Sequence, residues 1–257
     1  MFSISFQPMK LLKAFLLPCC LCLAFAAFSH HPEDDFIILD IEQGEVEMQD
    51  EQMTEEYRAA LKRQRIRRLA ALPWQDKFMI FTWAGVEHIV PKGLDHILFV
   101  LGLFFSSLLL RPLLWQVTAF TLAHTITLAL AAVEIVQVPS SVVEPIIALS
   151  IVWIAVENCV FKQTNKWRPL VVFCFGLLHG LGFAAVLNEY GLPKGNFLSS
   201  LLAFNIGVEL GQLSVLITAA ALVWFIREKS WYRQRVQVPA SILIALVGLF
   251  WFVERII

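Results

Sequence analysis

The sequence predicts an all-α, polytopic transmembrane helix bundle of about six spans behind an N-terminal signal sequence. Three observations carry this expectation. Of 257 residues, 58% are hydrophobic and only 16% are charged, a balance too apolar for an ordinary soluble domain. The mean hydropathy is +0.69. The apolar residues also fall into blocks at 94–110, 113–136, 142–161, 169–188, 197–226 and 238–254, close to the ~20 residues that a bilayer core requires of a helix.

Residues 1–29 read as a signal peptide or an uncleaved signal anchor. Lys10 and Lys13 supply positive charge beside the apolar run Leu11 to Phe28, and Ala27-Phe28-Ser29 offers a small-residue cleavage site. Residues 30–76 form a polar segment expected outside the cytoplasm. It is acidic from Glu33 to Glu56, then basic from Tyr57 to Leu72, where Arg58, Lys62, Arg63, Arg65, Arg67 and Arg68 predict a solvated or membrane-surface helix. The transmembrane domain is expected over 77–257, with a short, partly inserted helix at 77–90 leading into the first span. Pro112, Pro139, Pro169, Pro193 and Pro239 punctuate the connections. The fifth block is longer than a bilayer needs, which predicts tilt or protrusion.

Basic residues in the loops set the expected orientation. The loops after the first, third and fifth spans carry Arg111; Lys162, Lys166 and Arg168; and Arg227, Lys229, Arg233 and Arg235. The loop after the second span has no basic residue, and that after the fourth has only Lys194. The positive-inside rule makes the first group cytoplasmic, so residues 30–76 and the C-terminus face outward across a bacterial inner membrane. A net charge of −1 gives no basic field for nucleic acid. The cysteines, Cys19, Cys20, Cys22, Cys159 and Cys174, lie in apolar runs and read as small buried hydrophobes rather than a disulfide framework.

Against this apolar background the ionisable residues stand out, because such groups are costly at membrane depth. His124 and His179 lie near the middle of the second and fourth spans. They share a phrase: Phe120-Thr-Leu122-Ala-His124-Thr-Ile126 is echoed by Phe175-Gly-Leu177-Leu-His179-Gly-Leu181. Asp95 and His96 open the first span, and His88 precedes it. Glu144 opens the third span and Glu157 lies deeper in it. Asn205, Glu209 and Gln212, at i, i+4 and i+7, share one face of the fifth span, which must turn away from lipid. Ile154-Ala-Val-Glu157 also matches Ile206-Gly-Val-Glu209, which suggests a duplicated pair of histidine helix then glutamate helix.

Imidazole suits nickel, cobalt, zinc and copper, and carboxylates compensate the charge of a divalent ion. The pattern therefore points to a metal path with Asp95, His96 and Glu144 at an outer mouth. His124, Glu157, His179 and Glu209 would lie deeper, and His88 and Asn205 are further candidate ligands. A lone membrane histidine is as well explained by an interhelical hydrogen bond, so the joint set carries the reading. Gly176-xxx-Gly180 and Gly207-xxx-Gly211 read as close-packing motifs. Thr118, Thr121 and Thr125 read as hydroxyls that satisfy backbone carbonyls.

At these residues the sequence resembles the HupE/UreJ family of membrane proteins, in its second branch. The matching stretches are His88-Ile-Val-Pro-Lys-Gly93-Leu-Asp95-His96, Thr118 to Leu128, Val143-Glu144 to Ser150, Phe175 to Ala184, and Phe204-Asn205-Ile-Gly-Val-Glu209-Leu-Gly-Gln212. The resemblance implies nickel or cobalt uptake serving hydrogenase and urease, with the bilayer, the metal ion and metalloenzyme maturation proteins as partners. It also implies that His88, Asp95 and His96 match the family's first-helix motif and His179 its later His-Gly motif. Six residues separate His88 from Asp95, one more than in the nickel pattern, and the later motif lacks that pattern's second histidine.

The sequence thus predicts a permease for a divalent transition metal, nickel or cobalt foremost, with zinc and copper compatible. No Gly-x-x-x-x-Gly-Lys loop is present, so no ATP hydrolysis by this chain is expected. Two alternatives stay open. One is an intramembrane zinc hydrolase with Glu144, Glu157 or Glu209 as base. The other is a metal sensor or assembly factor for a membrane metalloenzyme.

Overall fold

The computed structural model describes residues 51–107, 109–161, 167–190 and 197–257. The expected signal sequence at 1–29, the acidic stretch up to residue 50, and Lys162, Lys166, Pro193 and Lys194 lie outside them. The chain divides into two compact units, Met1–Ala59 and Ala60–Ile257. The second holds the bundle.

Among the described residues all regular structure is helical. The helices are α1 (Glu51–Ala71), α2 (Trp74–Ile89), α3 (Leu94–Ser106), α4 (Leu110–Ala132), α5 (Ser140–Val160), α6 (Arg168–Tyr190), α7 (Phe197–Val223) and α8 (Val238–Glu254). A π-helical turn, Arg233–Gln237, runs directly into α8. The prolines start helices as expected. Pro139 precedes α5, while Pro112, Pro169 and Pro239 sit in the first turns of α4, α6 and α8. In α4 and α6 the missing N–H would have had no intrahelical partner, whereas α8 continues the π turn before it. On α1, Arg63, Arg67 and Arg68 are exposed, in keeping with a solvated basic face.

The first span departs from the expected straight helix. At 13 residues α3 is too short to cross a bilayer alone. It instead pairs with α2 at a bend of 71°, forming a broken span or a re-entrant loop. The segment expected to be partly inserted is therefore one arm of this bent pair. By length and composition four helices can cross a membrane: α4, α5, α7, and α8 with its leading π turn; the bent pair makes five. The fourth expected span, α6, contributes a shorter apolar stretch, Arg168–Gly182. Exposed Leu243, Leu246, Leu249, Phe250 and Val253 give α8 an apolar outer face. Trp115, Leu122, Trp153 and Ile217 do the same on α4, α5 and α7. Such faces suit lipid and not water.

Helices associate here through three extensive pairings: α4 on α6, α2 on α7, and α5 on α8. Lipid tails are as apolar as leucine, so burial alone cannot hold helices together in a bilayer, and close backbone approach must. Both glycine pairs sit at such approaches. A Cβ at Gly180 would strike the His124 carbonyl and the Thr127 hydroxyl on α4. A Cβ at Gly207 would strike the Thr82 carbonyl on α2, where Gly85 is the facing residue. The two proposed repeat units accordingly have different surroundings, with glutamate helix α5 seated chiefly on α8 and α7 chiefly on α2.

At one end of the bundle Arg168 is buried and bonds Glu157 at 3.0 Å and the Asn158 side-chain oxygen at 3.3 Å. Asn158 in turn donates to the Gly102 carbonyl of α3 at 2.8 Å, and Arg233 donates to the Cys159 carbonyl at 3.4 Å. This network joins the ends of α3 and α5 to the starts of α6 and α8. At the opposite end Arg255 donates to the Glu144 carbonyl at 3.0 Å, joining the end of α8 to the start of α5.

Replacing Gly207 by Val forces α2 and α7 apart and should cost about 1–3 kcal/mol, the usual penalty of overpacking. Leu202→Val, on the exposed side of the same helix, should stay within about 0.5 kcal/mol. Thermal unfolding of the two variants in detergent compares them directly.

Candidate metal centre

Four helices each deliver one imidazole to a common region: His88 from α2, His96 from α3, His124 from α4 and His179 from α6. The bend between α2 and α3 folds His88 and His96 together, with ring centroids 4.7 Å apart. The return is tight enough that a side chain at Gly93 would strike the His88 carbonyl, so glycine is required there. His96 is central, 5.7 Å from His124 and 5.0 Å from His179 between centroids. One ligating nitrogen from each of His88, His96 and His124 lies within 4.8 Å of the others. A bound metal would hold each nitrogen at about 2.1 Å, so these rings need shift inward only by an amount on the order of an ångström.

The site is dry. His96, His124 and His179 are 3%, 0% and 1% exposed. Phe99 and Phe120 pack against His179 at 5.2 and 4.9 Å, and Phe204 lies 5.7 Å from His88. An apolar shell of this kind lowers the local dielectric and strengthens each polar contact inside it.

The hydrogen bonds specify which imidazole nitrogen is offered. His179 Nδ1 lies 2.8 Å from the Phe175 carbonyl oxygen, which can only accept, so Nδ1 carries the proton. His96 Nδ1 lies 3.0 Å from Asp95 Oδ1, which also receives the His96 backbone N–H at 2.8 Å. His124 Nδ1 lies 3.4 Å from Asn205 Oδ1. Asn205 is itself fixed by donating its Nδ2 to the Leu201 carbonyl at 2.8 Å. In all three rings the proton is held on Nδ1, leaving a lone pair on Nε2. The Nε2 atoms of His96, His124 and His179 are buried and have no hydrogen-bond partner among the described residues. Three buried acceptors left open are expensive, and each imidazole is steadied through its other nitrogen, the arrangement a metal-ligating histidine has; His88, His96 and His124 are close enough together to hold a metal ion.

The nine residues singled out from sequence therefore separate. His88, His96, His124 and His179 converge at one level, replacing an outer mouth followed by deeper histidines. Asp95 and Asn205 sit behind imidazoles and orient them. Glu144 has an exposed side chain at the start of α5. Glu157 is held by Arg168 in the network at the end of α5. Glu209 accepts a hydrogen bond from Thr118 at 2.8 Å on α4. Thr125 bonds the Thr121 carbonyl as expected, at 2.7 Å. Thr121 does more than back-bond, donating also to Gln212 Oε1 at 2.9 Å. The Phe175 carbonyl was invisible to residue-type reasoning. The facing role of Thr118 and Thr121 was readable in principle, since with His124 they follow one another at three-residue steps.

A multi-pass membrane protein with a buried polyimidazole cluster is thus the class that the fold and the site define. Residues 62–255, the bundle from within α1 to the last turn of α8 and the residue beyond it, match the family model described as HupE / UreJ protein, and the chain belongs to that family. The family is associated with nickel and cobalt transport and handles a transition metal. Comparison with curated proteins gives no match, and neither does comparison with solved structures.

Two variants separate orientation from scaffold. Asp95→Asn should weaken divalent-metal binding about 10–100-fold, the usual cost of losing a ligand's supporting partner, as read by equilibrium dialysis. Glu157→Gln should leave metal affinity unchanged but strand buried Arg168, lowering stability by about 3 kcal/mol, as read by thermal unfolding.

Proposed function

We propose that this protein carries a divalent transition-metal ion, nickel or cobalt, inward across a bacterial inner membrane. The observation that supports this most directly is the set of buried, unpartnered Nε2 atoms beside His88, each backed by an acceptor on Nδ1. The divalent ion is the substrate. Neutral imidazoles favour nickel, copper, cobalt and zinc over calcium and magnesium, and within that group selectivity rests on geometry and supply rather than on raw affinity.

The orientation follows from loop charge. Residues 1–29 act as signal, 30–76 stand outside, and the end that gathers Arg168 and Arg233 faces the cytoplasm. His124 then lies about 21 Å along α4 from its cytoplasmic start at Leu110, taking ~1.5 Å per residue, which puts the imidazoles toward the outer side. The membrane potential alone would drive import, since a divalent ion moving inward gains ~4.6 kcal/mol per 100 mV. No nucleotide is needed. The hydrolase alternative loses support because Glu144, Glu157 and Glu209 are each placed away from the imidazoles or engaged elsewhere.

Purified protein in proteoliposomes should take up radioactive nickel or cobalt, and His124→Ala should reduce the rate at least tenfold. Cys174→Ser, at an exposed position, should leave it unchanged. Tightly held zinc with no flux of any divalent ion would overturn the transport reading in favour of a resident metal centre.

A further inference from the structure

The seam between α4 and α7 is polar along its length. Both helices are long enough to cross a membrane, and α7 presents Asn205, Glu209 and Gln212 on one face. From α4, His124 meets Asn205, Thr121 meets Gln212, and Thr118 meets Glu209. Two of these groups are unfinished. Gln212 is fully buried, yet its Nε2 has no hydrogen-bond partner among the described residues. Glu209 is a half-buried carboxylate within a span and forms no ion pair among the described residues; its hydrogen-bond partner is the hydroxyl of exposed Thr118. A carboxylate at this depth without a counter-charge is costly. Every other glutamate inside the membrane-crossing stretch of α5 or α7 is accounted for, since Glu157 has Arg168 and Glu144 is exposed.

We propose that Glu209, with Thr118, Thr121 and Gln212, forms a second ion position on the cytoplasmic side of the imidazoles, into which the ion passes from His124. This rests on the transport reading and adds the next step to it. Thr118 precedes His124 by six residues on α4, so the two positions are about 9 Å apart along the helix. Their donors differ in kind. The first offers imidazole nitrogens, and the second offers a carboxylate, two hydroxyls and the Gln212 amide oxygen, which already faces Thr121. Nickel and cobalt bind nitrogen sets more tightly than oxygen sets of this kind. The order is therefore capture at a tight site, then transfer to a weaker one from which release is fast, as conduction requires of successive sites. Glu209 also supplies a negative charge with no ion pair among the described residues, which can offset the divalent ion once it leaves Asp95 behind.

The test uses the full chain in detergent and in proteoliposomes, with nickel ion alone as probe. Equilibrium dialysis of the native protein should show one tight and one weaker class of nickel. Glu209→Gln should keep the tight class and lose the weaker one, and should slow vesicle uptake at least tenfold. Thr118→Val with Thr121→Val should reproduce both effects in milder form and stands in if Glu209→Gln elutes as aggregate. A single class in the native protein overturns the second position, as does Glu209→Gln that retains both classes and normal uptake. Loss of the tight class in Glu209→Gln also overturns it, because Glu209 would then belong to the imidazole site. Absence of flux in the native protein defeats the transport reading instead, and the dialysis arm still decides whether the second position exists.

Discussion

A neutral imidazole has one donor and one acceptor, and inside a bilayer neither can turn to water. The arrangement around the histidines follows from how that demand is met. In His96, His124 and His179 the donor is spent on an acceptor of the protein: the Asp95 carboxylate, the Asn205 amide oxygen and the Phe175 carbonyl. The acceptor is left open and buried. A cluster built only to hold helices together would pair both nitrogens, since each hydrogen bond between membrane helices contributes about 1 kcal/mol and an orphaned group costs at least as much. Leaving three lone pairs open is paid for elsewhere, by packing.

That packing comes from glycine. Gly180 lets α6 lie against the backbone of α4 beside His124, and Gly85 with Gly207 does the same for α2 and α7 beneath Asn205. The result is two tight helix pairs that each carry part of the site. The α4–α6 pair holds His124 and His179, the α2–α7 pair holds His88 and Asn205, and α3 inserts His96 between them at the bend. Bonds to Gly102 and Glu157 pin the far end of α3 and α5, well away from the imidazoles. Charge that must stay in place and donors that must reach an ion are thereby kept at different levels of the bundle.

Much of this was legible in the chain. Apolar blocks gave the helices, prolines their starts, and the Gly-xxx-Gly motifs their tightest contacts. The histidines declared themselves through the cost of placing them in such blocks. What stayed hidden were properties of distance. Block length counted 94–110 as a full span, whereas α3 ends at Ser106 and needs α2 to complete it. Asp95 and Asn205 have the chemistry of ligands and can be told from orienting partners only once Nδ1 and Nε2 are located. Glu157 and Glu209 sit in matching phrases, yet Arg168 reaches the first and leaves the second. A sequence echo records shared helix faces but not the neighbours those faces meet.

The division into two close pairs gives the molecule a mechanical grain. Within each pair, backbone touches backbone and nothing can slide without a collision. Between α4 and α7 the contact is less extensive and made by flexible amide, hydroxyl and carboxylate groups, which can exchange partners at little cost. That seam is therefore one of the compliant lines of the bundle, and it runs beside the imidazoles. An ion gripped by His88 on one side and His124 on the other would act as a removable rivet across it, stiffening the bundle while bound and loosening it on departure.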